Sequence, residues 1–237
     1  MLKIQNLSKT YPKGKKAVDN ISLSINPGEV FGFIGHNGAG KTTTIKCIAG
    51  ILDFEEGEIF VNGNSLRKDP IGCKQDIAYI PDNPDLYEQM TGVQFLNFIC
   101  DIYNISEEQR NKDINKYAEI FQIKNNLGDT ISTYSHGMKQ KLALISALTR
   151  RPKLMVLDEP FVGLDPKAAH SVKQIMREMC DHGTSVFFST HVLEVAEKLC
   201  DHIAIIKDGK IVAYGTMEEV KGNSSLEDVF LELVNNE

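Results

Sequence analysis

A glycine-rich turn near the start of the chain constrains its fold more than any other feature. The segment Gly35–Thr43 reads GHNGAGKTT and fits the pattern G-x-x-x-x-G-K-[ST]. It lies between a strand pattern at Glu29–Gly35 and a helical pattern at Thr42–Ala49. Glycines let backbone N–H groups turn inward around an anion, and the N-terminus of the following helix adds partial positive charge. The turn therefore predicts a phosphate-binding loop. The alternative, a glycine-rich turn with an exposed lysine, is disfavoured by the strand–turn–helix context.

Particular residues of this loop have predicted roles. Lys41 is expected to reach the β- and γ-phosphates of a nucleoside triphosphate, and the Thr42 hydroxyl is expected to bind Mg²⁺. His36 falls at a variable position of the pattern and is given no role. The residues expected to bind nucleotide through the loop are Gly35, Asn37, Gly38, Ala39, Gly40, Lys41, Thr42 and Thr43.

An apolar strand that ends in two acids supplies a second predicted site. Leu154–Pro160 reads LMVLDEP. Ligands of open α/β sheets bind at the carboxyl ends of the strands, which is where these acids would lie. Asp158 is expected to hold Mg²⁺ or its waters, and Glu159 is expected to accept a proton from an attacking water. A strand-end turn with two solvated acids is the alternative, and the phosphate-binding loop makes it the weaker one.

The rest of the chain predicts an α/β fold, because strand and helix patterns alternate. Apolar runs at Leu154–Leu157 and Ser185–Ser189 are typical of parallel strands that are buried on both faces. Segments His202–Ile206 and Lys210–Tyr214 flank an Asp-Gly turn and predict a hairpin. Further strands are predicted at Leu2–Leu7, Ile21–Ile25, Glu58–Val61 and Ile77–Ile80.

A helical segment interrupts this alternation. Thr91 can cap one helix, and Ser106 with Gln109 predicts a capping box at the start of a second. The apolar positions that follow recur at helical spacing. We therefore expect an inserted helical subdomain at about residues 83–135, and a short helix at about residues 225–234 that closes the chain.

Composition bounds the function classes. The chain has 237 residues and a formal net charge of -6, so it has no overall basic character for nucleic acid, and no nucleic-acid partner is expected. It contains no apolar run long enough to span a bilayer and no signal peptide pattern, so a cytosolic location is expected, with any membrane link through a partner. The five scattered cysteines are expected to be reduced structural thiols.

A third motif carries a family resemblance. Tyr134–Leu142 reads YSHGMKQKL and lies shortly before LMVLDEP. It resembles the LSGGQ signature of ABC ATPases, with Ser and Gly retained and Leu, the first Gly and Gln replaced. The matching residues are Tyr134, Ser135, His136, Gly137 and Met138. In that family the signature contacts the γ-phosphate of ATP bound to a second subunit; the alternative for Ser135 is a simple helix N-cap.

The resemblance extends to positions outside the three motifs. It implies that Tyr11 stacks on adenine, where the alternative is a strand-end aromatic residue. It implies that Asp165, in VGLDP, is the D-loop residue facing the second subunit, and Asp165 can also cap the helix that starts at Pro166. It implies that His191 is the switch histidine near the γ-phosphate and takes part in catalysis. The family usually has Gln where this chain has Asp82, which makes Asp82 a further candidate ligand for Mg²⁺.

The resemblance covers nearly the whole chain and implies one ABC-type P-loop NTPase domain over residues 1–237. Its implied fold is a mixed sheet flanked by helices, with an N-terminal antiparallel β portion. The implied function is the ATPase subunit of an ABC membrane transporter, most similar to ABC-2 drug, bacteriocin or lantibiotic exporters. Two such subunits, identical or homologous, would enclose two MgATP and act on integral membrane permeases at the cytoplasmic face of the membrane. The alternatives are a soluble ABC ATPase, for example in iron–sulfur assembly or on ribosomes, and a non-hydrolysing nucleotide-binding scaffold.

Overall fold

Two β-sheets form the frame of the protein. The computed structural model describes residues 1–12 and 14–235. The strands in chain order are β1 Leu2–Thr10, β2 Lys16–Ile25, β3 Val30–Ile34, β4 Glu56–Val61, β5 Asn64–Ser65, β6 Ile77–Ile80, β7 Leu154–Asp158, β8 Ser185–Thr190, β9 His202–Lys207 and β10 Lys210–Thr216. An antiparallel sheet has the order β2–β1–β4–β5, and a second sheet has the order β10–β9–β3–β8–β7–β6.

The second sheet is mixed, as predicted. Strands β9, β3, β8, β7 and β6 run parallel, and β10 pairs antiparallel with β9 through the expected hairpin. Every residue of β3, β7 and β8 is buried, which explains the run of apolar residues in each strand. The antiparallel N-terminal sheet also matches the predicted fold class.

Helices cover both faces of the mixed sheet. They are α1 Lys41–Ile48, α2 Pro70–Asp76, α3 Gly92–Ile102, α4 Glu107–Ile120, α5 His136–Thr149, α6 Pro166–Asp181, α7 Leu193–Leu199, α8 Met217–Lys221 and α9 Leu226–Asn235. Single 3₁₀ turns lie at Lys124–Asn126 and Ile131–Thr133. Within the described part of the chain, none of the helices has both the length and the apolar character needed to cross a membrane.

The alternation of side chains along β3 divides the core in two. Phe31 and Phe33 point to a cluster that α1 shares with the antiparallel sheet. Val30 and Ile34 point to the other side, where α3 to α7 contribute the packing residues. Helix α1 therefore lies between the two sheets, and the turn that precedes it opens at the carboxyl edge of the mixed sheet.

The helical insertion begins as the capping residues predict, with one correction. Thr91 and Gln94 form a full capping box at the start of α3. At α4 the Ser106 hydroxyl accepts a hydrogen bond from the Gln109 backbone N–H, but the Gln109 side chain donates to Asp113 Oδ2 at 2.7 Å. The predicted capping box at Ser106 is therefore wrong in its second half, because the buried Asp113 carboxylate, which also pairs with Arg151, attracts the amide. Helices α3 and α4 both pack on α5; a subdomain at residues 83–135 stays a prediction.

Candidate nucleotide-binding site

The glycine-rich turn joins β3 to α1, and its shape depends on residues without a Cβ atom. Gly40 is the N-cap of α1, with φ 112° and ψ 2°. A Cβ atom at Gly40 would lie 2.5 Å from the carbonyl oxygen of Ala17, and one at Gly35 would lie 2.6 Å from that of Ile206. Gly38 has φ +86° in open space. The turn thus packs closely under strands β2 and β9 while its tip faces solvent.

Lys41 is the cation of this turn. Its side chain is buried, and its ammonium group donates to Gly35 O at 2.7 Å and to His36 O at 3.3 Å. The same ammonium nitrogen lies 3.6 Å from Glu159 Oε1. The lysine is therefore held by the loop itself, with its ammonium group close to the carboxylate of Glu159, the residue that follows β7.

A cleft of about 290 Å³ opens between the loop and the two acids. Its lining residues are Tyr11, Lys15, Ala17, Asn37, Gly38, Gly40, Lys41, Thr42, Thr43, Asp82, Asp158 and Glu159. Of the predicted loop residues, Gly35 and Ala39 are buried and outside this lining. The Tyr11 hydroxyl lies 3.3 Å from Thr43 Oγ1, so the predicted adenine-stacking residue is at the mouth of the cleft.

The two acids at the end of β7 differ in their surroundings. Asp158 is buried, and its Oδ1 accepts a hydrogen bond from the Ser189 hydroxyl at 2.6 Å. Glu159 follows with φ +48°, in the left-handed region that non-glycine residues seldom adopt. Its Oε1 is 2.9 Å from Nδ1 of His191 and near Lys41. The carboxylate thus lies between two cationic or polar groups, while Asp158 lies deeper at the sheet edge.

A buried phenol lies beside this pair. Burial, and secondly the negative charge of Asp158, raise the pKa of Tyr79 to about 12. Its hydroxyl is buried and has no hydrogen-bond partner among the described residues. Tyr79 therefore stays protonated at neutral pH and does not add negative charge to the site.

The signature residues and Asp165 lie outside the cleft lining. The Ser135 hydroxyl caps α5 by accepting from Met138 N at 3.3 Å. A Cβ atom at Gly137 would lie 2.7 Å from Gly163 O, so the start of α5 packs on the loop before α6. Asp165 caps α6 through Ala168 N at 2.8 Å and pairs with Lys141 at 2.7 Å. The signature and the predicted D-loop are thus joined to each other and separate from the chain's own cleft.

The oxygen donors of the cleft suit a Mg²⁺ ion that is bound partly by nucleotide phosphates. They do not form a metal site built from protein side chains alone. In the part of the chain that the structure describes, no group of three or more His, Cys, Asp or Glu side chains could hold a metal ion. Thr42, Asp158 and Asp82 nevertheless line one cleft with hydroxyl and carboxylate oxygens. Mg²⁺ is usually bound through one or two carboxylates together with waters and substrate phosphates. The site therefore suits Mg²⁺ that enters with a nucleotide.

Two contributors to the site were not predicted. Lys15 lines the cleft from the segment before β2 and adds a second cation close to Tyr11. Ser189 connects the two acids from β8. The available signals were a lysine four positions after Tyr11, the predicted adenine-stacking residue, and a polar residue at the end of an apolar strand. Both signals are too common to identify a site.

A phosphate-binding loop that faces two acids across parallel strands defines a P-loop nucleotide-binding protein. Residues 18–162 match the sequence model of the family described as "ABC transporter". The chain therefore belongs to the ABC transporter family, as one of its ATP-binding, ATP-hydrolysing subunits.

The relatives support the same assignment over almost the full length. The chain is 35% identical to the ABC-type transporter ATP-binding protein EcsA of Bacillus subtilis, over 98% of this chain and 96% of EcsA. It is 34% identical to the linearmycin resistance ATP-binding protein LnrL of the same organism, over 93% of this chain and 70% of LnrL. A solved ATP-binding subunit of an ABC transporter superposes with a TM-score of 0.94, at 33% identity, covering 98% of this chain and 99% of that one.

Proposed function

We propose that two ATPase subunits, this chain with itself or with a homologue, enclose two MgATP and drive export through separate integral membrane permeases. The observation that carries the proposal is the position of the Glu159 carboxylate, 3.6 Å from Lys41 Nζ and 2.9 Å from His191 Nδ1 at the edge of the cleft. A carboxylate held there can take a proton from a water beside the γ-phosphate.

The other residues of the cleft bind and orient the nucleotide. Lys41 and the loop N–H groups hold the phosphates, and Tyr11 stacks on the base. Thr42 and Asp158 hold Mg²⁺, with Asp82 as a further ligand or a ligand to its waters. When bound, Mg²⁺ neutralises charge on the phosphates. His191 orients Glu159 and contacts the γ-phosphate.

A second subunit completes the site. Ser135 and His136 are exposed, and with Gly137 and Met138 they stand at the N-terminus of α5 outside the chain's own cleft. Free N–H groups at a helix start attract anions. In a paired arrangement these residues reach the γ-phosphate of the partner's ATP, and Asp165 faces the same interface.

The permease contact is proposed for the loop that follows Asp82 and for α3. Tyr87 packs edge-on against Phe98 at 5.5 Å, and Ile102 lies one turn further along α3. All three side chains are exposed, which favours a protein partner over solvent. Export is supported by the name of LnrL, a linearmycin resistance ATP-binding protein. The chain would then act at the cytoplasmic face of the membrane.

The test is Glu159→Gln, which keeps the size of the side chain and removes its basic oxygen. We expect ATP hydrolysis to fall by about 10²- to 10⁴-fold while ATP binding survives, because the loop contacts are unchanged. The variant should also form a stable dimer in size-exclusion chromatography with MgATP. Hydrolysis at the wild-type rate would remove Glu159 from catalysis, and loss of ATP binding would make it a binding residue instead.

A further inference from the structure

Ser189 is a buried hydroxyl that links the two acids of the site. It lies near the end of β8 and has no exposed surface. Its Oγ is 2.6 Å from Asp158 Oδ1 and 3.0 Å from the backbone nitrogen of Glu159. Asp158 and Ser189 are opposite one another in the parallel β7–β8 register. The contact is therefore fixed by two interior strands and not by a loop.

The direction of both hydrogen bonds follows from the chemistry of the groups. An ionised carboxylate only accepts, so the single hydroxyl proton of Ser189 goes to Asp158. A backbone N–H only donates, so the Ser189 oxygen accepts from Glu159. One hydroxyl thus satisfies both neighbours, and each bond orients it correctly for the other.

For Asp158 the consequence is a fixed carboxylate plane. Asp158 is nearly fully buried, and a hydrogen bond to a buried charged oxygen is stronger than one between neutral groups. With Oδ1 engaged by Ser189, Oδ2 is the oxygen left for a ligand in the cleft. Rotation of the carboxylate would cost the Ser189 bond.

For Glu159 the consequence is a fixed backbone. Its φ of +48° is unfavourable for a residue with a Cβ atom, and such conformations persist only where neighbouring contacts hold them. The Ser189 oxygen holds the Glu159 N–H, and the Glu159 carbonyl accepts from Val162 N at 3.1 Å. These bonds direct the side chain toward Lys41 and His191.

We infer that Ser189 is a positioning residue for ATP hydrolysis, holding Asp158 for the metal and Glu159 for the water through one hydroxyl group. The inference rests on the roles proposed above for the two acids. It assigns to Ser189 no contact with nucleotide, since the cleft lining does not include it.

Ser185 provides a matched control. It lies on the same strand, is equally buried, and also donates one hydrogen bond and accepts one, away from the site: it donates to the backbone carbonyl oxygen of Asn26 at 2.8 Å and accepts from Gly28 N at 3.1 Å. Loss of its hydroxyl should lower stability without reaching the acids. The experiment compares wild type, Ser189→Ala, Ser189→Thr and Ser185→Ala for melting temperature, kcat, KM for ATP and the Mg²⁺ concentration that gives half-maximal rate.

We expect Ser189→Ala to lower kcat by about tenfold, equivalent to about 1.4 kcal/mol, and to raise the half-maximal Mg²⁺ concentration. KM for ATP should stay within about twofold, because the phosphate-binding loop is untouched. Ser189→Thr, which restores the hydroxyl, should recover kcat. Ser185→Ala should lower the melting temperature only.

Two results would overturn the inference. One is a Ser189→Ala variant whose kcat and Mg²⁺ dependence match wild type, and the other is a Ser185→Ala variant that loses as much kcat as Ser189→Ala. If the threonine variant fails to fold, the comparison of the two alanine variants decides whether Ser189 positions the acids.

Measurement of Glu159→Gln in the same assay separates this inference from the proposed function. Full activity of Glu159→Gln refutes the role of Glu159. An inactive Glu159→Gln together with an unaffected Ser189→Ala refutes only the role of Ser189.

Discussion

Alanine at two glycines of the phosphate-binding loop should separate backbone strain from steric contact. At Gly38 a Cβ atom would meet nothing within 4 Å, so Gly38→Ala adds only the cost of φ +86°, about 1–2 kcal/mol. At Gly40 the backbone has φ +112°, and a Cβ atom would lie 2.5 Å from the Ala17 carbonyl oxygen. Ordinary contact is about an ångström longer, and overpacking a tight site costs a further ~1–3 kcal/mol. Gly40→Ala should therefore lower the free energy of unfolding by about 2–5 kcal/mol.

The assay is urea denaturation of both variants, with the free energy of unfolding taken by linear extrapolation. Fluorescent ATP binding is measured on the same samples. Gly40→Ala should weaken ATP binding more than Gly38→Ala, because Gly40 immediately precedes Lys41 and any shift moves the ammonium group. Equal losses of stability in the two variants would refute the steric argument, and a larger loss at Gly38 would show that the tip of the loop is the more constrained part.

Two further substitutions test the proposed contact of Ser135 with a second subunit and the role of Asp82 in the cleft. Ser135→Arg should leave ATP affinity of the isolated chain within about twofold, since distant sites act independently, while blocking MgATP-dependent dimerisation in gel filtration; a chain that no longer binds ATP would show that the signature acts on its own cleft. Asp82→Gln should keep the melting temperature and give an ATPase rate in the transporter complex at or above wild type, because it removes a negative charge from the cleft; a collapse of the rate would show that a carboxylate is needed there.

Apolar runs and turn residues made several strands predictable from the sequence. The apolar run at Ile77–Ile80 coincides with β6, and the Asp-Gly turn predicted the hairpin of β9 and β10. Helices α2 and α8 were not predicted, since seven and five residues are too few to show a helical period. Their starts are nevertheless capped, by Asp69 and by Thr216. Capping residues alone are too frequent to identify a helix.

The residues of the site also divide into those that the sequence predicts and those that it does not. Lys41 and Glu159 belong to local motifs whose spacing carries the chemistry, so both could be named in advance. Their 3.6 Å approach could not, since it depends on which strands are neighbours. Lys15 and Ser189 reach the site from segments without any motif. Outside the site, the Gln109 side chain donates to the buried Asp113 carboxylate and does not cap the start of its own helix. For Lys41 with Glu159 and for Ser189 with Asp158 the partner is distant in sequence. Asp113 lies only four residues from Gln109, but it is buried and paired with the distant Arg151.

The strand order explains why one hydroxyl can affect both acids. Strand β8 lies between β3, which leads into the phosphate-binding loop, and β7, which ends in the acids. It carries Ser189 beside Asp158 and continues into His191, which contacts Glu159. On its other side, the loop packs closely against the backbone of Ala17 and Ile206. A change at the end of β8 should therefore disturb hydrolysis before nucleotide binding, whereas a change at β2 or β9 should disturb binding first.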